Sequence, residues 1–204
     1  MKHINLNNLL AENSMILPKE VRLGIVSLPS DLNFSDKIEK IKSQNKHANM
    51  KFTFSNPSYS GKADKFEWAN SAIIFAFDYK ESNKSSYLTS KGFGKIAAFA
   101  EQDHYEPLKK IITEFEHLFS RLNYKFHTFI DNPNHYDRTF FEISGLGWQG
   151  KSTMMLSPGV GPWQLLGTMY SDQFFEPTES KNYSCGECNL CQISCPTGAL
   201  DEDY

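Results

Sequence analysis

Four cysteines, Cys185, Cys188, Cys191 and Cys195, lie within eleven residues, and the chain has no others. Their spacing is C-x2-C-x2-C-x3-C, with Pro196 directly after. Thiolates are soft donors that suit iron–sulfur clusters, zinc or copper(I). Structural zinc sites usually join two separated pairs of ligands, whereas here three cysteines fall within seven residues. The run is that of bacterial [4Fe–4S] sites, in which three thiolates hold one cluster and the fourth belongs to a second. It makes the protein an electron handler. Only nine residues follow Cys195, so a shortened chain, or a changed function, is expected.

A second candidate is the glycine loop Gly145-Leu-Gly-Trp-Gln-Gly-Lys-Ser-Thr153. Three glycines let a backbone approach something closely, and exposed amides can cradle an anionic or amide group. Gly145, Gly150, Lys151 and Ser152 satisfy the phosphate-loop pattern G-x-x-x-x-G-K-[ST]. That motif needs a strand before it and a helix after it. Here the preceding stretch reads as a helix ending at Gly145 and the following one as a strand, so nucleotide binding is set aside. Asp131 closes an apolar strand before Asn132-Pro133. A carboxylate there could be a general acid if burial raised its pKa, or only an Asx-turn or helix cap. For His135, Asp137 and Arg138 the simplest expectation is a solvated helix face.

The elements that must position these residues follow from periodicity. Residues 6–13 read as a short helix, 21–28 as a strand with Gly24 its weak point, and 35–43 as an amphipathic helix capped by Ser35. Residues 42–64 and 81–94 are polar and read as loops. The apolar run 71–79 predicts a buried central strand. A long helix follows with a break; Pro107 suits the first turn of its second part, where Leu108, Ile111, Ile112, Phe115, Leu118, Phe119 and Leu122 repeat at helical spacing. Residues 124–130 and 164–170 read as strands, 135–144 as a helix, and 153–156 as a short strand before a turn at 157–162. Strands interleaved with helices predict an α/β fold. Residues 1–178 would form it, with 179–204 as a partial ferredoxin-like module.

Composition sets limits. The net charge of -3, from 21 Lys+Arg and 24 Asp+Glu, gives no global basic field for nucleic acid, although a local patch would suffice. No apolar run approaches the roughly 20 residues of a membrane-spanning helix. The N-terminus lacks a signal-peptide core, and clustered cysteines suit a reducing compartment. A cytoplasmic protein is expected.

Residues 129–172 and 185–200 together resemble the epoxyqueuosine reductase family. In order they carry the strand-end Asp131, the pair Asp137-Arg138 where the family has Glu-Arg, the loop Gly145 to Thr153, then Gly161-Pro162-Trp163 where it has Gly-Ser-Trp, and Cys-Pro-Thr-Gly-Ala from Cys195. Residues 66–79 resemble an earlier strand of the family. The stretch Phe99-Ala-Glu-Gln-Asp-His-Tyr105 stands where the family has two arginines, here absent. The resemblance implies a nitroreductase-like, reductive-dehalogenase-like cobalamin-binding domain with cobalamin and two [4Fe–4S] clusters. It implies reduction of the epoxide of epoxyqueuosine in tRNA to queuosine. Asp131 would be the proton donor. Gly145, Gly147, Trp148, Gly150, Lys151, Ser152, Thr153, Arg138 and Trp163 would contact the cofactor, and the four cysteines would bind metal. A flavodoxin or ferredoxin donor, a monomer and no membrane are expected. Two alternatives stay open: a divergent reductase acting on a small organic substrate, and a non-catalytic iron–sulfur electron-transfer protein.

Overall fold

The computed structural model describes residues 3–29, 42–45, 66–79, 97–100, 102–132 and 135–201. The expected helix at 35–43 and the polar stretches at 42–64 and 81–94 fall largely outside them. The elements are α1 (Leu6–Glu12), β1 (Val21–Ser27), β2 (Ser71–Asp78), a 3-10 turn (Ala98–Ala100), α2 (Tyr105–Arg121) and β3 (Phe126–Ile130). After these come α3 (Asp137–Ile143), β4 (Trp148–Gln149), β5 (Met155–Leu156), β6 (Gln164–Ser171) and α4 (Leu190–Ile193). A mixed α/β fold is thus observed. The break before α2 also stands where sequence placed it.

Strand order is β1-β2-β6-β3, and every pair is antiparallel. β2 is central, and residues 71 to 76 are all buried. Its side chains divide by alternation between two cores. Ile73 and Phe75 join α1 and α2 through Leu6, Leu9, Leu10, Leu108, Ile112, Phe115 and Phe119. Ala72, Ile74 and Ala76 face Phe140 and Phe141 of α3. Small alanines on that side leave room for the two rings. The sheet is therefore a middle layer with helices on both faces. Each fully buried Leu, Ile or Phe contributes about 1.5–3 kcal/mol of transfer free energy. The six buried positions of α2 are enough to hold it in place.

Two glycines record close approaches. A Cβ on Gly167 of β6 would lie 2.7 Å from Ile112 Cδ1, so α2 presses on the sheet there. A Cβ on Gly24 would overlap the Ser144 side chain. The weak point of β1 is thus the seat for the end of α3.

Candidate active site

Antiparallel pairing brings the start of β1, the end of β2, the start of β6 and the end of β3 to one edge of the sheet. Arg22 lies in this edge. Its guanidinium grips Asp78 through both carboxylate oxygens, Nη2 to Oδ1 at 2.6 Å and Nε to Oδ2 at 3.3 Å. It also donates to Gln164 Oε1 at 2.6 Å and Ser157 Oγ at 2.8 Å. The Ser157 hydroxyl lies 2.9 Å from the Leu146 carbonyl, and Gln164 Nε2 donates to the Met155 carbonyl at 3.2 Å. The planar fork of arginine suits such multiple contacts. It ties the glycine loop, β5 and the 157–162 turn to the sheet. Nothing in the local sequence marked Arg22, because its partners are 56 to 142 residues away.

Asp131 follows β3 in the left-handed region, φ +48°, a conformation that Asp tolerates better than most residues. Its side chain is exposed, so this chain alone does not provide the burial that the general-acid expectation invoked. Tyr105, at the start of α2, is its electrostatic neighbour. Burial pushes the Tyr105 phenol up, and the negative charges of Asp131 and Asp137 push it further, opposed by Arg138. Asp103 Oδ1 accepts the Tyr105 backbone N–H at 2.9 Å. The Tyr79 ring lies 4.5 Å from His104 and 6.2 Å from Trp163, and burial raises its phenol pKa as well. Sequence reasoning missed Tyr79 and Tyr105, although Tyr105 closed the 99–105 stretch that the resemblance had already singled out.

The expected solvated face is corrected in part. Arg138 is exposed and donates to the Thr153 carbonyl at 3.2 Å, which joins two of the expected cofactor contacts. His135 and Asp137 turn inward. The His135 ring stacks on Phe129 at 4.2 Å and on Phe140 at 5.2 Å. Asp137 Oδ1 accepts from Thr168 Oγ1 at 2.6 Å and lies 3.3 Å from His135 Nε2. The helix starts at Asp137 rather than at residue 135, because His135 is taken up by the core.

The glycine loop is also not what its motif suggested. The phosphate-loop context fails as expected: α3 precedes the loop, β4 lies within it and β5 follows. Gly145, φ +74°, backs onto the Glu179 carbonyl, and a Cβ there would overlap it. A Cβ on Gly147 would overlap the Leu156 carbonyl and lie 2.7 Å from Phe141, and one on Gly150 would lie 2.6 Å from Leu156 Cδ1. The close approach that these glycines allow is thus to the chain itself. Lys151, Ser152 and Thr153 form the hairpin tip, and Trp163 is about one third exposed at 36%.

The segment after β6 crosses this loop. Thr178 Oγ1 accepts the Ile25 N–H at 3.0 Å and donates to the Ser144 carbonyl at 2.6 Å. Trp148 Nε1 then donates to Cys185 Sγ at 3.3 Å. All four thiols are free. Cys195 is lowered to about 7 by the Thr197 hydroxyl and by the backbone N–H groups of Thr197, Ala199 and Leu200. Among the described residues no three His, Cys, Asp or Glu side chains converge to hold a metal ion. None of their helices is long and apolar enough to cross a membrane.

No family model matches the chain. It is 31% identical over 141 residues to epoxyqueuosine reductase of Listeria monocytogenes, covering 66% of this chain and 37% of the relative. It is 33% identical over 129 residues to that of Vibrio cholerae, covering 62% and 32%. The chain is similar in sequence to the epoxyqueuosine reductases. It spans about two fifths of their length or less. The fold agrees. The epoxyqueuosine reductase structure from Streptococcus thermophilus superposes with a TM-score of 0.75 at 22% identity, over 89% of this chain and 50% of that one. An epoxyqueuosine reductase solved with a tRNA-Tyr epoxyqueuosine-modified stem loop gives 0.76 at 21%, over 97% and 53%. One from Bacillus subtilis was solved with its catalytic aspartate loop swung out of the active site.

Proposed function

We propose that this chain forms part of an oxidoreductase that reduces the epoxide of epoxyqueuosine in tRNA to queuosine. The observation that carries this reading is the similarity to the named reductases over about two thirds of the chain. The edge-of-sheet site and the thiol run support it. Deoxygenating an epoxide to an alkene consumes two electrons and two protons and releases water.

The thiols fit an iron–sulfur cluster by donor chemistry: four free sulfurs in the C-x2-C-x2-C-x3-C spacing, one receiving an indole N–H and one 3.5 Å from the Thr197 hydroxyl. A cobalamin would meet, at the open side of the site, the Arg138 guanidinium, Lys151 and Ser152 at the hairpin tip, and the Trp163 indole. These groups fit a large macrocycle fringed with amides and carrying a phosphate. Gly145, Gly147 and Gly150 pack against the chain itself where a Cβ would stand, so any cofactor contact they make is through their backbone. When bound, cobalamin supplies a cobalt centre that takes up electrons and acts on the epoxide carbon.

The chain's own part is proton delivery and orientation. Asp131 is the proton donor to the departing oxygen, and bound substrate and cofactor would have to provide the shielding that keeps it protonated. Tyr105, held neutral, is a second hydroxyl at the same place. The Arg22 network keeps the loop wall fixed, which preserves the reacting geometry.

The test uses the complete protein, reconstituted with cobalamin, iron and sulfide, with the conversion of epoxyqueuosine in tRNA followed by mass spectrometry. The wild type should convert it. Asp131→Ala should lose about 10²–10⁴-fold of turnover, the usual worth of a general acid, while keeping cobalamin affinity. Full activity in that variant removes Asp131 from the mechanism.

A second reading, a small organic substrate on the same site, is favoured by one observation. Asp103, in the stretch where the family has arginines, is engaged in holding the Tyr105 backbone N–H. Turnover of a small epoxide or organohalide, with none of the tRNA, would establish it.

A further inference from the structure

We infer that Trp148 tunes the redox potential of the cluster that Cys185 would ligate. The inference rests on the reading of the four cysteines as iron–sulfur ligands. Its basis is the Trp148 Nε1–H bond to Cys185 Sγ at 3.3 Å, which joins the glycine loop to the thiol run.

The indole is not there by accident of packing. Its backbone pairs with Leu156 in the β4–β5 hairpin, and Ser157 beyond Leu156 is gripped by Arg22. The Tyr183 ring lies 5.8 Å from the indole, tilted by 42°. The cysteine run is held to the same wall by Thr178 on the Ser144 carbonyl and by the packing of Glu179 onto Gly145. Donor and acceptor are thus anchored to the same wall through separate contacts. An indole N–H can only donate. A thiol is a weak acceptor, but an ionised, cluster-bound sulfur is a stronger one.

The sign of the effect follows. Reduction adds an electron to the cluster and makes its sulfurs more negative. A donor aimed at Sγ therefore stabilises the reduced form more than the oxidised form, and raises the potential; hydrogen bonds to cluster sulfurs are among the established levers on it. Removing the N–H should make the cluster harder to reduce.

The experiment is a potentiometric titration, followed by electron paramagnetic resonance, of the full protein reconstituted anaerobically with iron and sulfide. Wild type, Trp148→Phe and Trp148→His are compared. We expect Trp148→Phe to keep its iron and sulfide content while the reduced-to-oxidised ratio at fixed potential falls up to tenfold, which is about 59 mV for a one-electron couple. Trp148→His, which retains an N–H donor, should recover part of that loss. If Trp148→Phe loses the cluster, benzothienylalanine at position 148, with the shape of Trp and no N–H, makes the same comparison. An unchanged midpoint with an intact cluster overturns the inference and leaves the proposed function standing. A wild-type protein that takes up only zinc, or no metal, overturns both.

Discussion

Tyr79, Tyr105 and Tyr136 all have their phenol pKa raised, in each case by burial first. A raised pKa in the folded state means that the unfolded chain ionises first as pH increases. Their contribution to stability is complete below about pH 10, the unfolded value, and is lost as pH climbs through the folded values. Urea midpoints should therefore hold steady from pH 8 to 9.5 and fall above pH 10. The fall should be shallower in Tyr105→Phe, whose wild-type phenol also faces Asp131 and Asp137. An equal fall in both proteins would show that Tyr105 is not under that influence. Among the candidate residues, Asp131 and the four cysteines could be singled out from the sequence, because strand-end position and thiol spacing are local signals. Arg22 and Tyr79 were not. Each takes its role from partners contributed by distant strands, and a lone Arg or Tyr carries no spacing to read.

At the scale of elements, the glycine loop is the informative case. Its spacing invited a reading as a ligand cradle, and even matched a phosphate loop. The structure assigns the three glycines to internal contacts with Glu179, Leu156 and Phe141. Gly145→Ala would put a side chain at φ +74° and against a carbonyl. The left-handed backbone alone costs about 1–2 kcal/mol, and the overlap must displace the strap that carries the cysteines. Chemical denaturation should show a loss of about 2 kcal/mol or more. A variant as stable as wild type would mean that the strap does not lie on the loop. The α3 segment teaches a related lesson. Its helix was expected from 135, but His135 stacks with Phe129 and Phe140 in the core, so the first turn forms only at Asp137. Tertiary stacking prevailed over local propensity there.

For the whole molecule, one polar network does much of the joining. Arg22 and Asp78 retain 27% and 21% side-chain exposure, so the pair falls between a surface and a buried salt bridge. Arg22→Met would leave Asp78, Ser157 and Gln164 short of a common donor. A cost of about 1–3 kcal/mol is expected, from an unpaired, partly buried polar cluster. The loss should appear as a lower urea midpoint with an unchanged m-value. A change within 0.5 kcal/mol, the usual range of neutral surface substitutions, would show that the network is dispensable.

By itself, the sequence determined a mixed α/β fold and a thiol spacing suited to an iron–sulfur cluster. Thiol spacing, the apolar run of β2 and the 3.6-residue stripe of α2 are all encoded over short distances, where physical chemistry leaves few options. The antiparallel order β1-β2-β6-β3, the inward turn of His135 and Asp137, and the clasp of Trp148 on Cys185 were decided only by the tertiary structure. Each depends on which surfaces meet after long stretches of chain have been closed into loops, and periodicity within one segment does not specify its partner.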